Sequence, residues 1–185
     1  MTWSQLKSVS PLGVCAVFLA MSVLPATAQD LKPTQADLVW RLPAAPRYPP
    51  DNKPNPARIE LGKMLFFDPR LSRDGNMACA TCHSPLLGWS DGLPTARGFK
   101  SQVLGRASPT VVNTAYNKLQ MWDGRKASLE EQAIGPMVAD VEMNADLGAI
   151  FKWLNTNIGY RQAFSKAYPG EPIDREGQDR RDRRA

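Results

Sequence analysis

Apolar residues recur at helical spacing through much of the chain, and no stretch of six residues alternates as a half-buried strand would. Asn55-Pro56 reads as an N-cap and first helical residue; Ile59, Leu61, Met64 and Leu65 continue that helix, and Asp68-Pro69 ends it. Ser108-Pro109 is expected to open a short helix through Val111, Val112, Ala115 and Tyr116. Ser128-Leu-Glu-Glu131 forms a capping box, which puts Gln132 inside the helix that follows. Asn144 is expected to cap a helix whose Leu147, Ile150, Phe151 and Leu154 fall at i, i+3, i+4 and i+7. Tyr160, Ala163, Phe164 and Tyr168 carry a last helix to Pro169-Gly170. A loop rich in Gly and Pro runs from Ser84 to Arg106. The pattern predicts an all-α chain with long loops.

The two ends differ from this body. Lys7, the apolar run Leu12 to Leu24 and the small residues Ala26-Thr27-Ala28 before Gln29 make residues 1–28 a secretory signal peptide. The apolar run is too short to span a bilayer, so export to the periplasm with no membrane span after cleavage is expected. Cys15 leaves with the signal, and Val14 before it fits a lipoprotein cleavage site poorly. Residues 29–56 hold Pro43, Pro46, Pro49, Pro50, Pro54 and Pro56, and should run extended over the domain surface. Residues 57–173 form one domain. The tail 174–185 is charged, has nothing to bury and is expected to be disordered.

The net charge of +5 suggests nucleic acid only at first sight. Lys7 and the arginine excess of the tail supply three of those charges, and the remaining body has no basic stripe interleaved with aromatics. This argues against nucleic acid as a partner.

The chemistry concentrates in Met77-Ala-Cys-Ala-Thr-Cys-His-Ser-Pro85, which holds both cysteines of the mature chain and the only histidine of the sequence. Cys79-x-x-Cys82-His83 is the attachment pattern of haem c. A single turn presents two thiols to the two vinyl groups of one porphyrin edge, and the adjacent histidine reaches under the ring to the iron. Zinc would need further Cys or His ligands, and the mature chain has none. A thioredoxin-like pair would need a strand–helix junction in an α/β fold. A disulfide across so short a loop would constrain the unfolded chain little. One covalent haem c is therefore expected, bound through Cys79 and Cys82, with His83 as the iron's axial ligand. The opposite axial position stays open to two readings. Met121, Met137 or Met143 could supply a thioether, giving a monohaem electron-transfer cytochrome, although helical methionines more often fill cores. Alternatively the iron faces an open pocket, as reaction with peroxide requires. A third reading is the product of a damaged reading frame that folds poorly.

The run Glu60-Leu-Gly-Lys-Met-Leu-Phe-Phe-Asp-Pro-Arg-Leu-Ser72, the Cys79–His83 motif and Ser108-Pro-Thr-Val-Val-Asn-Thr-Ala115 resemble the bacterial dihaem cytochrome c peroxidase family, which includes the MauG-type enzymes. Met121-Trp-Asp-Gly-Arg125 and Leu129-Glu-Glu-Gln-Ala-Ile-Gly-Pro136 extend the resemblance, which covers roughly residues 40 to 173. It implies a cytochrome c-like, peroxidatic N-terminal haem domain that reduces hydrogen peroxide with electrons from a small cytochrome c or cupredoxin. On it, Gln132, Pro136 and Glu142 match distal-pocket positions, and Trp122 matches the tryptophan between the two haems. The chain departs from the family in three places. Its loop Ala96-Arg-Gly-Phe-Lys-Ser101 lacks the histidine that caps the resting haem in many members, which implies an iron already open. Ala107 stands where the family has an asparagine linked to an interdomain calcium, which puts calcium in doubt. After Ile173 the sequence dissolves into Asp-Arg-Glu-Gly-Gln-Asp-Arg-Arg-Asp-Arg-Arg-Ala where the family continues to a second haem domain, so a truncated frame is expected.

Overall fold

The computed structural model describes residues 34–50 and 52–174; the expected signal peptide and the tail beyond Asp174 lie outside the described residues. The chain divides into two units, the boundary falling after Arg41. In the first, Thr34 accepts from and donates to Asp37 at the start of a 3-10 turn, Asp37–Trp40, so this part of the proline-rich segment is turned rather than extended. In the second, the end of that segment lies against the body. Asn52 donates to Glu130 at 2.8 Å and accepts from Arg58 at 3.4 Å.

The second unit is helical, with isolated β-bridges and no strand among its described residues. Helix α1 spans Pro56–Phe66, capped by Asn55, whose side chain accepts from the Ala57 amide at 2.8 Å. The short α2 spans Cys79–Cys82, α3 Leu129–Val138, α4 Leu147–Thr156 and α5 Ile158–Ala167. Ser128 caps α3 by accepting from the Glu131 amide, while the Glu131 carboxylate reaches back to the Ala127 amide, one residue before the reciprocal position of a capping box.

Two sequence expectations fail for identifiable reasons. Asp146, not Asn144, caps α4, accepting from the Ala149 amide at 3.1 Å. Asn144 instead takes a left-handed turn (φ 48°) that swings the chain into the helix. The helix expected from Ser108 shrinks to a 3-10 turn at Thr114–Tyr116. Its would-be first turn bonds elsewhere: the Ser108 carbonyl accepts from Ser90, the Thr110 hydroxyl donates to Gly88, and the Val111 amide donates to Trp89. Helix-like sequence is overridden by tertiary hydrogen bonds.

The core lies between α1, α4 and α5, where Leu61, Leu71, Met143, Ile150, Leu154, Tyr160 and Ala167 are buried together. Ile150 and Leu154 come from the face of α4 read from its spacing, with Leu147 and Phe151 packed against them. Asp68, just after α1, ties this core to α5. Its carboxylate accepts from the Tyr160 hydroxyl at 2.6 Å and from the Arg70 guanidinium at 2.8 and 2.6 Å. Arg70 also lies over the Trp153 ring of α4, 4.4 Å from its centroid. The Arg70 hydrogen bonds, aided by Tyr160 and opposed by burial, hold the Asp68 carboxyl down at about 2. A carboxyl depressed in the folded state stabilises fully above its unfolded pKa and loses that contribution as pH falls through its folded value. Stability should therefore drop between about pH 4 and pH 2, by about 2 kcal/mol from this group. Asp68→Asn should cost a similar amount at neutral pH and flatten that acid window, as urea titrations across pH would show. An unchanged acid profile would mean that the Asp68 network contributes nothing.

The remainder of the unit is built differently. From Ser84 to Ser128, Ala96 is the one apolar side chain buried among the described residues. Several large apolar side chains in this stretch are instead exposed, including Leu86 (90 %), Val103 (61 %) and Trp122 (65 %), while Trp89, Phe99 and Leu104 are only half-buried. Backbone hydrogen bonds shape it, in three chain reversals closed by the bridges Ser84–Ser90, Arg97–Val103 and Gln120–Lys126.

Candidate active site

Helix α2 is one turn long and carries Cys79 and Cys82, both free and half-buried. His83 terminates it, its amide bonded to the Cys79 carbonyl at 3.0 Å. The His83 ring is held by carbonyls. Its Nδ1 lies 3.0 Å from the Pro109 oxygen and 3.4 Å from the Trp89 oxygen, with the Ser108 hydroxyl also at 3.4 Å. Carbonyls only accept, so these partners assign the proton to Nδ1 and leave the Nε2 lone pair for a metal. Ser108 braces the same turn by donating to the Cys82 carbonyl at 2.8 Å. Trp89 reaches its position through a left-handed backbone (φ 63°), which follows Gly88 in the same conformation and costs a bulky residue strain. Phe66, at the end of α1, completes the surround, 6.4 Å from the His83 ring and 5.9 Å from Trp89 by centroids.

Burial, then the negative charges of Asp91 and Glu142 and the neighbouring Cys79, push the Cys82 thiol up to about 11. Burial also raises Cys79. Two protonated thiols make poor redox or metal thiolates at neutral pH. They suit thioether formation, in which S–H adds across a vinyl group. The residues present thus fit a haem c: two thiols on one turn, an imidazole with Nε2 free, and a neighbouring stretch of chain whose apolar side chains lack a core of their own.

The residues expected opposite His83 come from α3 and the turn after it. Gln132 and Pro136 stand one turn apart on α3, where Pro136 lacks the amide that would bond the Gln132 carbonyl. After α3 the chain folds back on it: Glu142 donates its amide to Ala139, Met143 to Pro136 and Ala145 to Met137, at 3.0, 3.1 and 2.7 Å. This leaves the Glu142 side chain half-buried, and burial raises its pKa against the opposing charge of Arg125. Glu142 therefore interacts with both the attachment turn, through Cys82, and Arg125. Gln132 is brought instead to Met121, donating to its sulfur at 3.5 Å. Trp122, next in sequence, is exposed, its indole N–H donating to the Ala107 carbonyl at 3.1 Å. Arg125 at the end of this loop is paired with Asp123 at 2.6 Å. The loop from Met121 to Arg125 thus touches Gln132 at one end and bears on Glu142 at the other.

Of the axial methionines considered, Met143 is buried in the α1–α4–α5 core and Met137 packs against it, so both are core residues. Met121 alone sits beside a predicted distal residue. Sequence reasoning missed the Pro109 and Trp89 carbonyls, which carry no side-chain signal, and Arg125, which lay inside a matched motif without a role. A surface depression of about 500 Å³ lined by Arg70, Arg73, Asp146 and Trp153 includes none of the site residues.

Residues 56–181 match the family of di-haem cytochrome c peroxidases. The chain is 43% identical over 152 residues to the methylamine utilization protein MauG of Methylorubrum extorquens AM1, covering 82% of this chain and 42% of that protein. It is 46% identical over 116 residues to the cytochrome c551 peroxidase of Pseudomonas aeruginosa PAO1, covering 62% of this chain and 34% of that one. Among solved structures it resembles a MauG-like protein associated with microbial copper homeostasis, with a TM-score of 0.68 and 28% identity over 75% of this chain and 43% of that chain. The chain spans less than half the length of these relatives. The all-α, cytochrome c-like fold expected from the sequence is the one found. With its Cys79–His83 motif, its helical frame and a match over most of its length, the chain belongs to the di-haem cytochrome c peroxidase family.

Proposed function

We propose that this chain is an exported peroxidatic haem domain that reduces hydrogen peroxide to water, with electrons from a small cytochrome c or cupredoxin. The observation that carries the reading is Glu142: a half-buried carboxylate with a raised pKa, held within electrostatic reach of the turn that bears Cys82 and His83. Cys79 and Cys82 would hold one haem c covalently, and His83 would ligate its iron through Nε2. The bound haem supplies the redox chemistry that cleaves the O–O bond.

Reduction of peroxide to two waters consumes two protons and two electrons, and the chain's residues manage the protons. A Glu142 oxygen accepts the proton of the inner peroxide oxygen and returns it to the outer one, which then leaves as water. Burial raises the Glu142 pKa, the direction that makes its carboxylate a stronger acceptor for the first of those proton movements. The Gln132 amide orients peroxide or water by hydrogen bonding, and Pro136 holds the turn that presents Glu142 through its carbonyl bond to the Met143 amide. Trp122 is exposed and anchored at its indole, so it can pass electrons in from a docked donor or second haem domain. Residues 1–28 direct the chain to the periplasm.

The position of Met121 beside Gln132 favours one competing reading, a monohaem electron carrier with Met121 as axial ligand. The ferric optical spectrum separates the two. The peroxidatic reading expects one haem per chain by pyridine haemochrome assay, a largely high-spin spectrum and a rapid bimolecular reaction with peroxide. A low-spin spectrum with a weak near-infrared charge-transfer band, inert to peroxide, would establish methionine ligation and overturn it.

A further inference from the structure

The loop around Gly98 makes backbone contacts with both sides of the site. Arg97 offers its carbonyl to the Cys82 thiol, at 3.6 Å. Two residues on, the Phe99 amide donates to the carbonyls of Val141 and Glu142, at 3.1 and 2.7 Å. The loop is itself closed by short-range bonds: Gly98 donates its amide to Gln102, and Ser101 to Gly98, both at 2.9 Å. Beneath it, the bonds of the Ala96 amide to Arg106 and the Leu104 amide to Ala96 pin the strip at its base. Between its two outward contacts sits Gly98, buried and packed directly on the next loop. A Cβ there would overlap the Val141 carbonyl oxygen and lie 2.9 Å from its carbon and 3.0 Å from the Glu142 Cα. All of these are backbone atoms that a side-chain rotation cannot move aside. Gly98 is not in a left-handed conformation (φ −106°), so close approach, not backbone freedom, is what requires glycine.

We propose that the strip Arg97–Phe99 is a positioning strut that fixes Glu142 relative to the haem-attachment turn, with Gly98 as its irreplaceable residue. The inference rests on the reading that Glu142 acts on peroxide. Its geometry is one of rigid spacing. Val141 and Glu142 lie in the segment that folds back on α3, and Met143 is locked in the core, so their remaining freedom is toward the strip. The Phe99 amide removes that freedom, and the strip is referenced to the attachment turn through its base. Ala96 is bonded to Arg106, two residues before the Ser108 hydroxyl that donates to the Cys82 carbonyl, a link that thioether formation at the Cys82 sulfur leaves in place. An added methyl at Gly98 meets the Val141 and Glu142 backbone and no atom of either cysteine among its three nearest neighbours, so it displaces the Glu142 loop from the strip. Proton transfer depends on hydrogen-bond reach, so a displacement of about an ångström suffices to cost a large factor in rate.

The test uses the full chain matured with haem. Gly98→Ala should retain covalent haem and lower the bimolecular rate with peroxide at least tenfold. Introduced into Glu142→Gln it should change that rate less than twofold, because both changes then remove the same function. Independently of activity, hydrogen exchange read by mass spectrometry should accelerate in a peptide spanning residues 139–145. Gly105→Ala is the control, since a Cβ there meets nothing within 4 Å and the rate should be unaffected. Phe99→Pro provides a second variant if Gly98→Ala yields no holoprotein. It removes the donating amide at the second position of the reversal that Ser101 closes by donating to Gly98, behind an extended Gly98 and before a left-handed Lys100 (φ 52°), a turn position that accepts proline. A parental rate in Gly98→Ala, or an equal tenfold loss in the Glu142→Gln background, would overturn the strut. If Glu142→Gln itself reacts normally, the catalytic role of Glu142 fails instead, and exchange in 139–145 still decides whether the strip holds that loop: unchanged exchange rejects it.

Discussion

Replacing Cys79 and Cys82 together by alanine is expected to leave a chain with no covalent haem after export in a host with a haem-maturation system. The effect should be all-or-none at the level of haem content, since both thioether bonds are lost. It should also reach the fold. The α1, α4 and α5 helices keep a core of their own, but residues 84–128 bury a single apolar side chain, Ala96. A haem is the large apolar surface against which that stretch can pack, with burial stabilising by about 25 cal/mol per Å². The apo variant should therefore lose the near-ultraviolet signal of its tryptophans and open the loop half to protease while retaining helical signal from the α1–α4–α5 core. Covalent haem surviving in the double variant would sink the assignment of the Cys79–His83 turn.

Glu142→Gln should slow the reaction of the haem protein with peroxide by about 10²–10⁴-fold, the usual contribution of general acid–base help. Its resting spectrum should barely change, because the substitution preserves shape and leaves His83 and its carbonyl partners in place. Stopped-flow measurement of the bimolecular rate decides the matter. The parent's own pH dependence carries a second signature. Burial holds the Glu142 carboxyl above its ordinary value, so the deprotonated form that accepts the first proton gains population as pH rises through that raised pKa. The parent rate should climb with pH across that range, and the Gln variant should lack the climb. A variant within twofold of the parent at every pH would make Glu142 a structural residue.

Much of the frame was legible in the sequence because its signals are local. The Asn55-Pro56 start of α1 and the Ser128 cap of α3 are short-range hydrogen-bond solutions written in adjacent residues. The buried face of α4 follows from apolar spacing alone. The chemistry of Cys79, Cys82 and His83 was equally readable, since a single turn contains it.

The sequence by itself thus determined an all-α chain, the attachment turn and, by family resemblance, a set of distal residues to look for. Tertiary structure decided what no local pattern encodes. It pulled Ser108 and Pro109 out of a helix, because their polar groups serve Cys82, Ser90 and His83 instead. It moved the α4 cap from Asn144 to Asp146, since the turn that folds Met143 into the core bends the backbone at Asn144. It consigned Met143 and Met137 to the core and set Met121 beside Gln132. It also made Gly98 a contact point for Glu142, forty-four residues away in sequence, through the Val141 carbonyl. Helix caps and apolar periodicity act over a few residues, whereas the proton on His83 and the placement of Glu142 depend on carbonyls and amides delivered by distant loops. Every residue carries those backbone groups, so only the folded chain shows which of them meet.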